Sequence, residues 1–315
     1  MKLTTQYLGL ELAHPFMPGA SPLADTMDSV RRLEDAGASA IVMRSLFEEQ
    51  ILQERFGASG FVFGPDRYLD QLRHIKTSVS VPVIASINGT STEGWLKYAR
   101  LIQKAQADAL ELNFYHLATD PAEDAASVED RLLDIVAVLK ESITIPLAVK
   151  LSPFYSSLPN LAARLDSIGA QGIVLFNRFY QADINPDELD TVATLHLSTS
   201  NDLLLRLRWL AILSASYRGS LAITGGVHEP IDAVKAIMAG ADAVQMVSAL
   251  LQNGAQHLAV IREGFERWGD EHGYESIDDM RGSMSLAHVA QPHASERRNY
   301  LRILQSWKQV ASSRR

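Results

Sequence analysis

The sequence predicts a (β/α)8 TIM barrel with a short C-terminal helical extension, and three observations predict it. First, a small-residue turn between a helical pattern and an apolar run recurs: AGASAIVM from Ala36, AQADALEL from Ala105, IGAQGIVLF from Ile168 and AGADAVQMV from Ala239. Gly or Ala in such a turn relieves the left-handed backbone at a helix end and lets the next strand pack closely. Four turns at spacings of roughly 65 residues imply eight units, because one strand–helix unit takes about 30 to 35 residues. Second, runs such as PVIASIN, PLAVKLS, GIVLFN and LAITGG are apolar on both faces, as parallel strands covered by helices are. Third, helical patterns follow nearly every run, which favours a barrel over the alternative, a doubly wound sheet with an extra domain.

Strands are expected at 15–20, 40–45, 82–88, 109–114, 146–152, 172–177, 220–225 and 243–248. Thr90 with Glu93, and Ser127 with Asp130, have the capping-box spacing of helix starts. Pro230 suits a first helical turn, and 202–214 reads as a packed helix. Connections 47–65, 115–128 and 178–201 are long and should share the face where barrel active sites are built. The expected division is 1–275 for the barrel and 276–315 for a helical extension of the same domain, its ERRNYLRILQSW segment packed on the outside.

Of 315 residues, 47% are hydrophobic, enough for a sizeable core. The 29 Lys and Arg against 37 Asp and Glu leave a net charge of −8, which argues against a nucleic-acid partner. The absence of cysteine excludes disulfides, thiolate nucleophiles and cysteine-ligated clusters in this chain. The nine histidines show no metal-binding spacing. No apolar stretch suggests a signal peptide or a membrane span, so a cytoplasmic protein is expected.

Polar residues close the predicted strands: Ser21, Arg44 with Ser45, Asn88, Asn113 with His116, Lys150, Asn177, Thr224 with Gly225 and Gly226, and Ser248. A single strand can end this way by running into solvent, but seven of eight doing so indicate a site. A buried Lys150 requires an anionic partner or an acceptor. In ITGGVHEP, adjacent glycines expose backbone N–H groups at the seventh strand, and Ser248 adds a hydroxyl at the eighth. Loops after those strands form the common phosphate site of such barrels. The bland alternative is a tight turn in which the glycines only supply positive φ.

These residues resemble the dihydroorotate dehydrogenases. HPFMPGAS at 14–21 is similar to the family's NPFMNASG, AIVMRS to ITKS, ALELNFYH to ELNLSCPN, PLAVKLSP to PLGVKLPP, LFNR to the NS strand end, ITGGV to GTGGI, and GYESIDDMRG to GYQSIADFHG. The resemblance runs in order from about residue 5 to 285. It implies a barrel that binds FMN and oxidises dihydroorotate to orotate. It assigns Gly225, Gly226 and Ser248 to the FMN phosphate, and Ala20, Ser21 and Ser45 to the flavin. Lys150 would stand near N1 and O2 of the ring, and Asn113 and Asn177 would meet cofactor or substrate. Arg44 replaces the family's lysine as a catalytic and substrate-binding candidate, and His116 takes the position of the catalytic base, with Tyr115 as its rival. The departures concern the substrate side: Arg44 for Lys, Ala118 for an asparagine, HLSTSND at 196–202 for a glycine-rich segment, and no asparagine in GASGFVFGPD at 57–66. Two alternatives stay open, a flavin-binding electron-transfer subunit or pseudoenzyme, and a phosphate-binding barrel without flavin that uses Lys150 for a Schiff base. The expected partners are a small-molecule substrate, with room for a redox partner protein and a homodimer, and no membrane.

Overall fold

The computed structural model describes residues 1–51, 64–91, 95–179 and 181–312. Its strands in chain order are β1 (Thr5–Tyr7), β2 (Leu10–Leu12), β3 (Phe16–Pro18), β4 (Ile41–Phe47), β5 (Val83–Asn88), β6 (Ala109–Asn113), β7 (Leu147–Leu151), β8 (Gly172–Leu175), β9 (Asp183–Asn185), β10 (Asp190–Val192), β11 (Ser220–Thr224) and β12 (Ala243–Met246). Eight of these make one parallel sheet in the order β3-β12-β11-β8-β7-β6-β5-β4, and β3 and β4 meet at the remaining seam. Every predicted strand has its counterpart here. The sheet runs around in sequence without the reversal of a doubly wound fold, so it is a nearly closed (β/α)8 barrel.

Side chains alternate across each strand, which separates two apolar layers. One set, including Ile41, Val83, Leu110, Val149 and Ile223, packs outward against the helices. The other fills the barrel with small residues such as Ala40, Ala109, Ala148, Ala222 and Ala243, and the β1–β2 hairpin plugs its lower end with Tyr7, Leu8 and Leu12. Because Ala109 and Ala148 face inward, the residues two and four further along β6 and two further along β7 face inward as well. These are Glu111, Asn113 and Lys150. The interior therefore changes from apolar at the plug to polar at the carboxyl ends of the strands.

Helix Pro230–Ala239 carries Pro230 in its first turn, and helix Leu203–Leu213 matches the apolar segment expected at 202–214. Two expectations need correction. Helix Ala125–Ser142 starts ahead of the predicted Ser127–Asp130 box: Asp124 is its N-cap, accepting from the Ser127 N–H at 2.8 Å and from its hydroxyl. Ser127 lies inside the first turn, and Asp130 instead pairs with Arg164. The tail does form a helix, Pro292–Ser312, but its stretch from Arg297 to Ser306 does not pack along the body. Glu296 pairs with Arg208 near its start, whereas every side chain from Arg297 to Ser306 is exposed. Glu93 and residues 57–63 lie outside the described residues.

His14 ties the first barrel strand to the turn before the second. Its Nδ1 accepts from the Phe16 N–H at 3.2 Å, and its Nε2 donates to the Gly37 carbonyl at 2.7 Å. The bond at Nδ1 requires the neutral ring, and burial pushes its pKa down to about 4 against the pull of the Gly37 carbonyl. The unfolded chain takes up this proton near pH 6.5 while the folded chain does not, so His14 stabilises the fold above that pH and the contribution is lost as pH falls towards 4. The expected loss is about 3 kcal/mol by pH 4. Urea titrations across this range should show that limb in the parent and a flatter one in His14→Gln; identical slopes would contradict the assignment.

Candidate active site

The polar end of the barrel is built row by row from sheet register. Asn88 on β5 pairs with Asn113 on β6, and Asn113 with Lys150 on β7, so three predicted strand-end residues share one level. One level below, Glu111 is 1% exposed and reaches up to Lys150, with Oε1 3.4 Å from Nζ. Its other oxygen accepts from Gln245 Nε2 at 2.7 Å across the barrel. The anionic partner that Lys150 requires is therefore Glu111, paired and hydrogen-bonded as a buried carboxylate must be.

A cavity of about 380 Å³ opens beside this row and gathers Ala20, Ser21, Arg44, Ser45 and Asn113. Arg44 is held by Asp25 at 3.2 Å, and burial raises the Asp25 pKa against the pull of that guanidinium. Ser45 shares a hydroxyl bond of 2.8 Å with Ser86, and Tyr68 anchors the same spot by donating to the Ser86 carbonyl at 3.0 Å. Ser21 caps the short turn that follows β3. Asn177 is a strut: its amide donates to the Phe114 carbonyl at 3.1 Å and the Lys150 carbonyl at 3.2 Å, locking three strand ends together.

Gly225, Gly226 and Ser248 meet at the ends of β11 and β12, with a residue that the sequence did not single out between them. Ser198 donates its N–H to Ser248 Oγ at 3.0 Å, and its hydroxyl accepts from the Gly226 N–H at 3.2 Å. Both glycines have positive φ, 84° and 87°. At Gly226 space is also decisive, since an added Cβ would stand 2.5 Å from the Leu203 backbone nitrogen.

His116 is not part of the first cavity. It lines a neighbouring one of about 260 Å³ with Phe154, Tyr155 and Phe179. Its Nε2 lies 2.9 Å from Glu123 and 3.1 Å from Arg131, and these two bind each other at 2.6 Å. The carboxyl of Glu123 is held below its ordinary pKa, first by the His116 hydrogen bond and then by the charges of His116 and Arg131.

This geometry accepts a flavin. Asn113 Oδ1 is buried beside the cavity without a hydrogen-bond partner among the described residues, Lys150 offers a fixed cation, and the glycine turn is too tight for a side chain. Among the described residues no three His, Asp or Glu side chains gather as a metal site requires.

The model of the family described as dihydroorotate dehydrogenase matches residues 55–268. The chain belongs to the dihydroorotate dehydrogenase family. As a family member it is a flavin-dependent oxidoreductase, a dehydrogenase of CH–CH bonds, and the pseudoenzyme alternative is not favoured. It is similar to a dihydroorotate dehydrogenase B (NAD(+)) catalytic subunit of Thermoplasma acidophilum, 26% identical over 300 residues that cover 89% of this chain and 98% of the relative. The corresponding subunit of Methanothermobacter thermautotrophicus is 24% identical over 309 residues, 91% of this chain and 98% of that one. The NAD-dependent dihydropyrimidine dehydrogenase subunit PreA of Escherichia coli K12 is 21% identical over 316 residues, 89% of this chain and 76% of its own. No described helix is long and apolar enough to cross a membrane.

Gly226→Ala should displace Leu203 as well as strain the turn, and cost about 1–3 kcal/mol together with retained flavin. Gly254→Ala, also at positive φ but with open space around it, should cost about 1 kcal/mol and keep the flavin. Urea midpoints and flavin content after desalting check the pair; equal behaviour would show that contact with Leu203 does not shape the turn.

Proposed function

We propose that this enzyme binds FMN across the barrel mouth and oxidises dihydroorotate or a related 5,6-dihydropyrimidine. The observation that carries the reading is the inward row of Asn113 and Lys150 on neighbouring strands, with Asn113 lining the first cavity. A flavin held there would supply the hydride acceptor for the substrate. Lys150 supports that step electrostatically by presenting a fixed cation where negative charge develops. Gly225, Gly226 and Ser248 hold the phosphate end, while Ala20, Ser21 and Ser45 line the ring's side of the cavity. Asn113 offers an unsatisfied acceptor to an N–H donor. Arg44, paired with Asp25, faces the substrate side, and Asn177 keeps the strand ends in place.

His116 is the candidate base. A nitrogen that donates to a carboxylate cannot also accept from a guanidinium. The charge-assisted bond from Nε2–H to Glu123 fixes the tautomer and leaves Nδ1 to take the substrate proton, the logic of a carboxylate–histidine pair. Tyr115 is the rival on the same loop. A redox partner subunit belongs to the proposal: all three relatives are named as subunits, and Phe154, Ile184, Leu189 and Leu195 expose apolar surface on the connections that follow β7 and β8.

The test is anaerobic bleaching of the purified yellow protein by a panel containing dihydroorotate and dihydrouracil. The flavin released on denaturation should be FMN, and one of these substrates should reduce it; FAD, or no reduction by either, would contradict the reading. His116→Ala should leave the oxidised spectrum intact and slow that reduction by about 10²- to 10⁴-fold. Reduction as fast as in the parent would remove His116 as the base.

A further inference from the structure

Arg206 lies on helix Leu203–Leu213, and its guanidinium folds back over the glycine turn. A Cβ added at Gly225 would stand 3.1 Å from its Nη2 and 3.3 Å from Cζ, so the planar group lies against the Gly225 backbone. Nε donates to the Thr224 carbonyl, and Nη1 donates to the Asp202 carbonyl at 2.6 Å. Both acceptors are neutral. Among the described residues Nη2 makes no hydrogen bond and no carboxylate forms an ion pair with Arg206.

The surrounding charges do not supply the missing anion. The Asp202 carboxylate is turned to the Thr199 N–H and hydroxyl, at 2.7 and 3.2 Å. The other neighbouring charge is a second cation, Arg178, at the end of β8. Loss of water around Arg206 pushes its pKa down, Asp202 opposes this, and Arg178 adds to it. A half-buried guanidinium with a free N–H, a like-charged neighbour and only carbonyl partners is a poor arrangement for the protein alone. It becomes a good one when an anion sits on the turn. The hydroxyls at the turn also suit a phosphate: Ser248 Oγ accepts from the Ser198 N–H and keeps its own hydrogen to donate, and Ser198 Oγ, which accepts from the Gly226 N–H, lies 3.2 Å from His228 Nε2.

We propose that Arg206 is an anion-binding residue of the glycine turn, giving the phosphate monoester of the bound flavin a side-chain cation. The cation makes the site discriminate phosphorylated from unphosphorylated flavin. The inference rests on the FMN reading above, and the test keeps the two apart.

Apoprotein of the parent and of Arg206→Gln is titrated with FMN and with riboflavin by fluorescence quenching. The variant should bind FMN about 10- to 100-fold more weakly, the usual value of a charge-assisted hydrogen bond, with riboflavin affinity changed less than about twofold. Arg206→Lys should recover part of the loss, and rising salt should weaken FMN binding more in the parent than in Arg206→Gln. If FMN and riboflavin affinities fall together, Arg206 only staples the helix to β11 and the proposal is overturned; unchanged FMN affinity overturns it equally. If the parent binds neither flavin, the probe becomes inorganic phosphate. A rise of the parent's melting temperature that is lost in Arg206→Gln would then support the anion site and count against the FMN reading alone, whereas no effect of phosphate on the parent would overturn both.

Discussion

The buried pair of Lys150 and Glu111 is the interaction on which the rest of the site depends. A lysine pointing into a barrel of alanines and valines is unfavourable by several kcal/mol unless a carboxylate meets it. Here the carboxylate stands one level lower on the neighbouring strand, itself held by Gln245 from the opposite wall. Removing either partner would strand a charge in the interior at a cost of about 3–5 kcal/mol. The pair thus fixes a cation at the level of Asn88 and Asn113, where the barrel opens to the first cavity. Glu111 keeps that cation in place without shielding it from above, because the carboxylate lies on the plug side. A charge so arranged needs no reorganisation when a negative charge forms at the mouth, which is the condition for electrostatic assistance of a redox step.

Much of this was legible in the sequence, and the limits have physical causes. Recurring small-residue turns and apolar runs, several of them two-sided, located all eight barrel strands, and polar strand ends marked Asn113 and Lys150 as site residues. The glycine pair was readable because a turn at the seventh strand end has few functions. Contacts across the barrel were not readable. Glu111 was quoted only as part of a strand, since its meeting with Lys150 and Gln245 depends on the register of β6 and β7 and on closure of the sheet. Ser198 and Arg206 escaped for a similar reason: both reach the glycine turn from the long connection after β8 and the helix that follows it, a route that no local pattern encodes. Asp124 has the same spacing to Ser127 as Ser127 has to Asp130, so spacing alone does not choose between the two caps. The tail's apolar residues suggested packing, but apolar content does not show that a complementary surface exists.

The departures from the family pattern are concentrated where a substrate would enter. The central row and the glycine turn fit the chemistry a flavin needs, whereas Arg44 is bound to Asp25, and His116 to Glu123, which also holds Arg131. A forked guanidinium in place of a lysine favours planar acceptors. On the proposed reading the scaffold that binds cofactor is separate from the rim that selects the reactant, as in barrels that vary their loops over a fixed core.

The most direct test of the central claim is the midpoint potential of the bound flavin in the parent and in Lys150→Met, with folding of the variant verified by circular dichroism. A cation fixed at the ring stabilises the reduced form, so its loss should lower the potential by tens of millivolts. Equal potentials in two folded, flavin-loaded proteins would show that Lys150 does not act on the ring, and the role assigned to the buried pair would fail.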